Sequence, residues 1–239
     1  MLSLIFCHVL ADPTDARPGK RARRYARPVG EVWGIVVGAG AGRRFGRPKQ
    51  FESLLGRRVL DWSVAAAAAV CDRVVTLLPA ERMELGALPG GVTRSDSVRC
   101  GLAVIPEGVE IVVVHDAARP VAEPELFRRV IAAVRAGADA AIPAVPIADT
   151  IKRVAGERVV ETLDRSALVA VQTPQAFRAD MLRKAHAGAP EATDDAGLIE
   201  ALGGVVVIVE GDRANFKITA PEDLILAAAL LADRGRAPG

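Results

Sequence analysis

The chain has 239 residues, 51% of them hydrophobic and 25% charged, with a formal net charge of +2. That balance suits one globular domain with a sizeable core, and excludes a disordered or fibrous chain and a body globally suited to nucleic acid. Cys7, Cys71 and Cys100 lie far apart without metal-ligand spacing, which argues against structural zinc and a disulfide framework and favours a reducing, cytoplasmic setting.

Residues 1–31 combine a short apolar run with a later Arg-, Pro- and Gly-rich stretch. A secretory signal carries its basic residues before the apolar run, whereas here they follow it, from Arg17 to Arg27. The segment reads as a disordered extension or as a start site placed too early, and residues 32–234 as the domain. No run in the chain approaches the roughly 18 to 20 apolar residues of a membrane span.

From Trp33 onward, short β-rich runs alternate with Ala- and Leu-rich amphipathic segments. This predicts an α/β fold, a mainly parallel sheet with helices on both faces. In chain order the strands are "WGIVVG", "RVVTLL", "VEIVVVHD", "DAAIPAV" and "GGVVVIVEG". The helices are "VLDWSVAAAAAV", "DSVRCGLAVI", "EPELFRRVIAAVRAG", "TDDAGLIEALGG" and "PEDLILAAALLAD". Thr219 with Glu222 and Pro221 matches a capping box, and Thr193 with Asp194 and Asp195 reads as an N-cap with acids at the positive end of the dipole. The alternation breaks where Thr150–Val154 and Arg158–Leu163 flank "AGE", which predicts a hairpin within an arm over about 147–172. A two-stranded ribbon is marginal alone, so the arm needs a surface to pack on, and a second subunit is the expected one.

The stretch "VVGAGAGRRFGRPKQF", residues 36–51, places Gly38, Gly40 and Gly42 after an apolar strand and Arg43, Arg44, Arg47 and Lys49 behind them. A dinucleotide fingerprint fails on spacing: counted from Gly38 its third glycine falls on Arg43, and counted from Gly40 on Phe45. A Walker A loop fails too, because "RPKQ" lacks the Gly-Lys-Ser/Thr end. What remains is a loop whose amides and cations can wrap a triphosphate and meet the charge that develops when phosphorus is attacked; the bland alternative is a solvated basic turn. In "VVVHDAARP" an apolar strand ends in Asp116, at the edge where open α/β sheets bind ligands. There its carboxylate can hold Mg²⁺ against phosphate oxygens, and Arg119 can pair with it or with phosphate. Taken alone, Asp116 is equally a strand-closing turn residue, and His115 reads as a packed core histidine. No nucleophile constellation is present, and direct displacement at phosphorus requires none.

With these residues in place, the sequence resembles the 2-C-methyl-D-erythritol 4-phosphate cytidylyltransferases. The resemblance rests on "GAGAGRRFGRPKQF", "GGVTRSDSVRCGL", "VVVHDAARP", "DTIKR", "DRSALVAVQTPQAF", "TDDAGLIE" and "VEGDRANFKITAPEDL", in that order, over about residues 33 to 230. It implies a Rossmann-like, GT-A-like nucleotidyltransferase that uses CTP and Mg²⁺ to cytidylylate a small sugar-alcohol phosphate. It further implies that Arg44 and Lys49 stabilise the pentacoordinate phosphate while Arg165 and Lys217 position the sugar phosphate. Cytosine recognition falls to the backbone around Gly38 and Ala39 and to Gly91 and Ser97. Thr150 and Arg165 belong to an arm that interlocks a homodimer, and Thr193 touches the sugar phosphate, as suits a helix N-terminus. Without the resemblance, Lys217 and Arg165 would be ordinary surface charges.

Two departures stand out. The family loop begins Pro-Ala-Ala-Gly, and the Val37-Gly38-Ala39-Gly40 found here is expected to be more permissive. Val92 stands where many members carry an acid, so a side-chain contact to the base is not expected there. Two other readings compete: a pentitol-phosphate cytidylyltransferase acting on ribitol 5-phosphate, and a non-catalytic CTP-binding module. Against the module stand Arg44, Lys49, Asp116 and Lys217, groups suited to a developing negative charge that a pure binder does not need.

Overall fold

A computed structural model describes residues 30–234 apart from position 43. The expected extension over residues 1–31 lies, but for Gly30 and Glu31, outside the described residues. The chain runs β1 (Val32–Val37), β2 (Ser53–Leu54), β3 (Arg57–Arg58), α1 (Val59–Ala68), β4 (Arg73–Leu78), β5 (Ala87–Pro89), α2 (Arg94–Leu102), β6 (Ile111–Asp116), α3 (Pro124–Arg135) and β7 (Ala140–Pro146). It continues through β8 (Lys152–Ala155), β9 (Arg158–Thr162), β10 (Val169–Val171), β11 (Gln175–Arg178), α4 (Ala179–His186), α5 (Asp195–Ala201), β12 (Val206–Glu210) and α6 (Asp223–Arg234).

Eight strands form the main sheet, in the order β10-β7-β11-β6-β1-β4-β5 with β12 on the far edge of β7. The pairs β1 with β4, β1 with β6, β4 with β5 and β7 with β12 are parallel. β6 shows why such strands read as unbroken apolar runs. Val112 and Val114 enter the core on the side of α2, α4 and α5, while Ile111 and Val113 enter the core on the side of α1 and α3. With helices on both faces, neither set meets water. A third cluster packs α6 against Leu54 and Val59 through Ile218 and Ala227.

The sequence missed the antiparallel insertion. β11 slots between β6 and β7 and runs against both, and β10 runs against the C-terminal half of β7. β11 has only four residues, "QAFR", and its pairing is set by its neighbours rather than by its own pattern. The hairpin is present as expected: β8 and β9 form a separate antiparallel ribbon closed around Gly156, every residue of it exposed. The end expected for the arm, at about residue 172, overruns into β10, whose residues Val169–Val171 pair with β7 in the main sheet.

Two helix starts need correction. At α6 the capping carboxylate is Asp223, not Glu222: its Oδ2 accepts from the Thr219 and Ala220 amides at 2.6 and 2.9 Å. At α5 the cap is Asp194, which accepts from the Gly197 amide, and Thr193 lies exposed one residue outside it.

Candidate active site

β1, β4, β5 and β6 run parallel, so their C-terminal residues Val37, Leu78, Pro89 and Asp116 share one edge of the sheet, and the loops leaving β1, β5 and β6 enclose a cleft of about 290 Å³. The first loop is held tightly. Gly38 donates its amide to the Leu77 carbonyl at 2.8 Å, and its own carbonyl accepts from the Gln50 carboxamide at 2.6 Å. The greater freedom expected of Gly38 is therefore not expressed. Gly42 is the residue that must be glycine: its φ is +66°, and a Cβ there would lie 2.0 Å from the Arg47 carbonyl oxygen.

The second loop, after β5, leads into α2. Thr93 caps that helix with a reciprocal pair: its hydroxyl accepts from the Asp96 amide, and the Asp96 carboxylate accepts from the Thr93 amide. Ser97 accepts from the Gly91 amide at 3.1 Å and donates to the Thr93 carbonyl at 3.0 Å, which fixes the turn facing the cleft. Gly90 lets the two loops touch, since a Cβ on it would sit 2.2 Å from the Ala39 Cβ.

Asp116 is the hub. Its Oδ2 accepts from Lys217 Nζ at 2.6 Å and its Oδ1 from Arg94 Nε at 3.3 Å. Burial alone would raise its pKa, but the charges of Lys217 and Arg94 more than offset this and hold it well below the ordinary carboxylate range. Behind it, Arg94 Nη1 pairs with the buried Asp195 at 2.7 Å, and the second Asp195 oxygen meets His186 Nε2 at 2.9 Å. Lys49 lies on the opposite side of this balance. Burial pushes its ammonium below the ordinary lysine value, and the charges of Lys217 and Arg44 push it the same way. The cleft is thus short of negative charge, and an anion entering it supplies what the carboxylates do not.

His115 is a core residue, as expected. It is 1% exposed, packed on Phe127 and hydrogen-bonded to Thr173 Oγ1, and burial pushes its pKa down to about 4.

The sequence matches the family described as "IspD: 2-C-methyl-D-erythritol 4-phosphate cytidylyltransferase" over residues 32–233. The chain belongs to this family. Among its relatives, the 2-C-methyl-D-erythritol 4-phosphate cytidylyltransferases of Rubrobacter xylanophilus and Nocardia farcinica are each 46% identical to it. Each alignment covers 84% of this chain, with 95% of the first protein and 94% of the second. The crystal structure of the Thermus thermophilus cytidylyltransferase superposes with a TM-score of 0.73 at 39% identity, covering 83% of this chain and 98% of that one.

Most site residues expected of a cytidylyltransferase meet in this cleft. Gly38, Ala39, Gly40, Gly42, Arg44 and Lys49 line it from the first loop, Gly91 and Ser97 from the second, and Asp116 and Lys217 from the far wall. Val92, exposed, stands at its edge. Others do not join them. Arg119 donates to the Asn215 carbonyl at 2.7 Å and forms no ion pair with Asp116, because Lys217 and Arg94 already occupy that carboxylate. Thr150 and Arg165 lie exposed on the arm, where Arg165 donates to the Ala148 carbonyl. The anion attraction expected at Thr193 is weakened, since Asp194 already caps α5 and carries its own negative charge.

Sequence reasoning missed Gln50, Gly90 and Arg94, all three in or beside the cleft. The Thr93-x-x-Asp96 capping box was there to be read, and would have placed Arg94 on the first turn of α2.

Proposed function

We infer that this protein transfers the cytidylyl group of CTP to the 4-phosphate of 2-C-methyl-D-erythritol, giving 4-diphosphocytidyl-2-C-methyl-D-erythritol and pyrophosphate in isoprenoid precursor biosynthesis. Family membership supports the reaction. The observation that carries it to these residues is the convergence of the glycine loop, Arg44, Lys49 and Lys217 around Asp116, the one carboxylate among the described residues that line the cleft.

In this reading the loop amides receive the triphosphate and Arg44 and Lys49 face the α-phosphate. A sugar-phosphate oxygen attacks that phosphorus, and its bond to the β-phosphate bridge breaks as pyrophosphate leaves. Negative charge grows on the α-phosphate oxygens during this exchange, so cations fixed beside them lower the barrier without reorganising. Lys217 holds the incoming 4-phosphate, and the turn around Gly91 and Ser97 receives the cytosine.

The donor set fits a Mg²⁺ ion that arrives with the nucleotide. Mg²⁺ is commonly held by one or two carboxylates and substrate phosphates, and Asp116 is the carboxylate on hand, with its Oδ1 engaged only by the 3.3 Å contact from Arg94. No cluster of three potential ligand residues occurs among the described residues. When bound, the ion supplies charge neutralisation at the phosphate oxygens.

The working enzyme in this reading is a homodimer. Val154, Val159 and Val160 are exposed on the ribbon, which favours burial against a second copy, and Thr150 and Arg165 would then reach the sugar phosphate in the partner's cleft, beside that copy's Thr193. Among the described residues no helix is long and apolar enough to cross a membrane, and the free thiols of Cys71 and Cys100 suit a cytoplasmic setting. The deciding experiment is pyrophosphate release from CTP and Mg²⁺ with 2-C-methyl-D-erythritol 4-phosphate, run beside ribitol 5-phosphate. Release with the first alone is expected; release with ribitol 5-phosphate alone would overturn the assignment.

A further inference from the structure

Gln50 follows Lys49 directly in a short 3-10 turn and is 4% exposed. Its carboxamide nitrogen donates to two carbonyls of the first loop, Gly38 at 2.6 Å and Gly40 at 3.0 Å. Only the nitrogen end of a carboxamide can face two carbonyl oxygens, so the orientation is set by chemistry. In a trans peptide the C=O and N–H point in opposite directions. Drawing the Gly38 and Gly40 carbonyls toward Gln50 therefore turns the amides of Ala39 and Ala41 the other way. Those two amides donate to no described residue.

We propose that Gln50 is a positioning residue that clamps the Gly38 and Gly40 carbonyls so that the Ala39 and Ala41 amides are presented, in register with the adjacent Lys49, to a polyphosphate chain. This deepens the proposed function and rests on that reading of the cleft. It also explains why a loop with three glycines is not loose: the freedom glycine gives the backbone is removed by one side chain held from the turn that carries the cation.

Inorganic tripolyphosphate is the probe, because it reads the cradle without base or sugar, and its binding is measured by calorimetry on the full chain. Gln50→Leu keeps the bulk and removes both donors; a loss of tripolyphosphate affinity of at least tenfold, with the unfolding midpoint little changed, is expected. Gln50→Glu provides an independent readout. Its carboxylate would face two carbonyl oxygens in a buried place, which raises a carboxyl pKa, and only the protonated form can donate. Affinity relative to wild type should therefore recover as pH is lowered from 8 toward 5.5, and should rise above that of Gln50→Leu, which carries neither charge nor donor, a gain that relief of charge repulsion alone would not produce. The reference for the recovery itself is the same variant at another pH, so it is read even if Gln50→Leu fails to fold. Binding of tripolyphosphate by Gln50→Glu at a constant ratio to wild type across that pH range, or by folded Gln50→Leu within twofold of wild type, would overturn the proposal. Pyrophosphate release by the wild-type protein tests the reaction separately from the clamp.

Discussion

Lys217 closes a 2.6 Å ion pair on Asp116 across 101 residues of chain, and the same carboxylate takes Arg94 on its other oxygen. One negative charge thus holds two cations at the rim of a cleft read as a phosphate site, and it joins the C-terminal segment to the end of β6. In the proposed reaction substrate phosphate would compete with Asp116 for Lys217, so the pair is expected to break and reform during turnover.

Lys217→Ala separates the two roles. Lys217 is 36% exposed, so its pair with Asp116 is screened by solvent, and its loss should cost only about 1 kcal/mol of stability. Turnover should fall on the order of 100-fold or more, the scale of removing a charge stabiliser from a transition state. Urea unfolding and pyrophosphate release on one preparation check both, and a loss of turnover no larger than the stability change would argue against the assignment.

Lys49→Met should make the protein slightly more stable and nearly inactive. Folding holds the Lys49 pKa below its ordinary 10.5, so at neutral pH the folded state bears a penalty for keeping it charged, and that penalty is relieved as pH rises through the folded value. The variant removes the penalty. Its midpoint advantage over wild type should be present at pH 7 and shrink toward pH 10, as read by thermal unfolding across that range.

Asp195→Asn tests the chain of charges behind the cleft. Its carboxylate is 1% exposed and joins Arg94 to His186, so neutralising it leaves Arg94 with Asp116 alone and should cost about 3 kcal/mol at neutral pH. Burial alone would raise the Asp195 pKa, but His186 and Arg94 together hold it below its ordinary 3.8. Its contribution is therefore present above that value and is lost as pH falls through the lower folded one. The gap between variant and wild type in urea unfolding should narrow below about pH 4; a gap independent of pH would point to packing instead.

Subunit mixing tests the arm. Arg165→Ala and Lys49→Ala homodimers should each be nearly inactive, one lacking the arm's cation and the other the cleft's. After random exchange, half the dimers are mixed and one of their two sites is intact, so activity should return to about a quarter of wild type. No recovery after verified exchange would place Arg165 in its own subunit's site or in none.

The fold was legible wherever a strand is buried on both faces or a helix is long. β6 could be read from "IVVVHD" because both its neighbours and the helices on either side demand apolar residues. β11 and α4 were missed for the converse reason, being four and eight residues long with polar members, and placed by packing. Arg44 and Lys49 were legible because they lie on one loop. Arg94 and Gln50 were not, since their meaning lies in partners the sequence keeps apart: Asp195 is 101 positions from Arg94, and the Gly38 carbonyl is 12 from Gln50.

The long span between Asp116 and Lys217 also has a cost in time. A chain leaves the ribosome N-terminus first at roughly 5–20 residues per second, so Asp116 emerges on the order of 5–20 s before the ammonium that will neutralise it, given their separation of 101 residues. Arg94, the other partner of that carboxylate, lies 22 positions earlier in the chain and is already made. Of the charged residues that line the cleft, Arg94 is thus synthesised before Asp116 and Lys217 last of all.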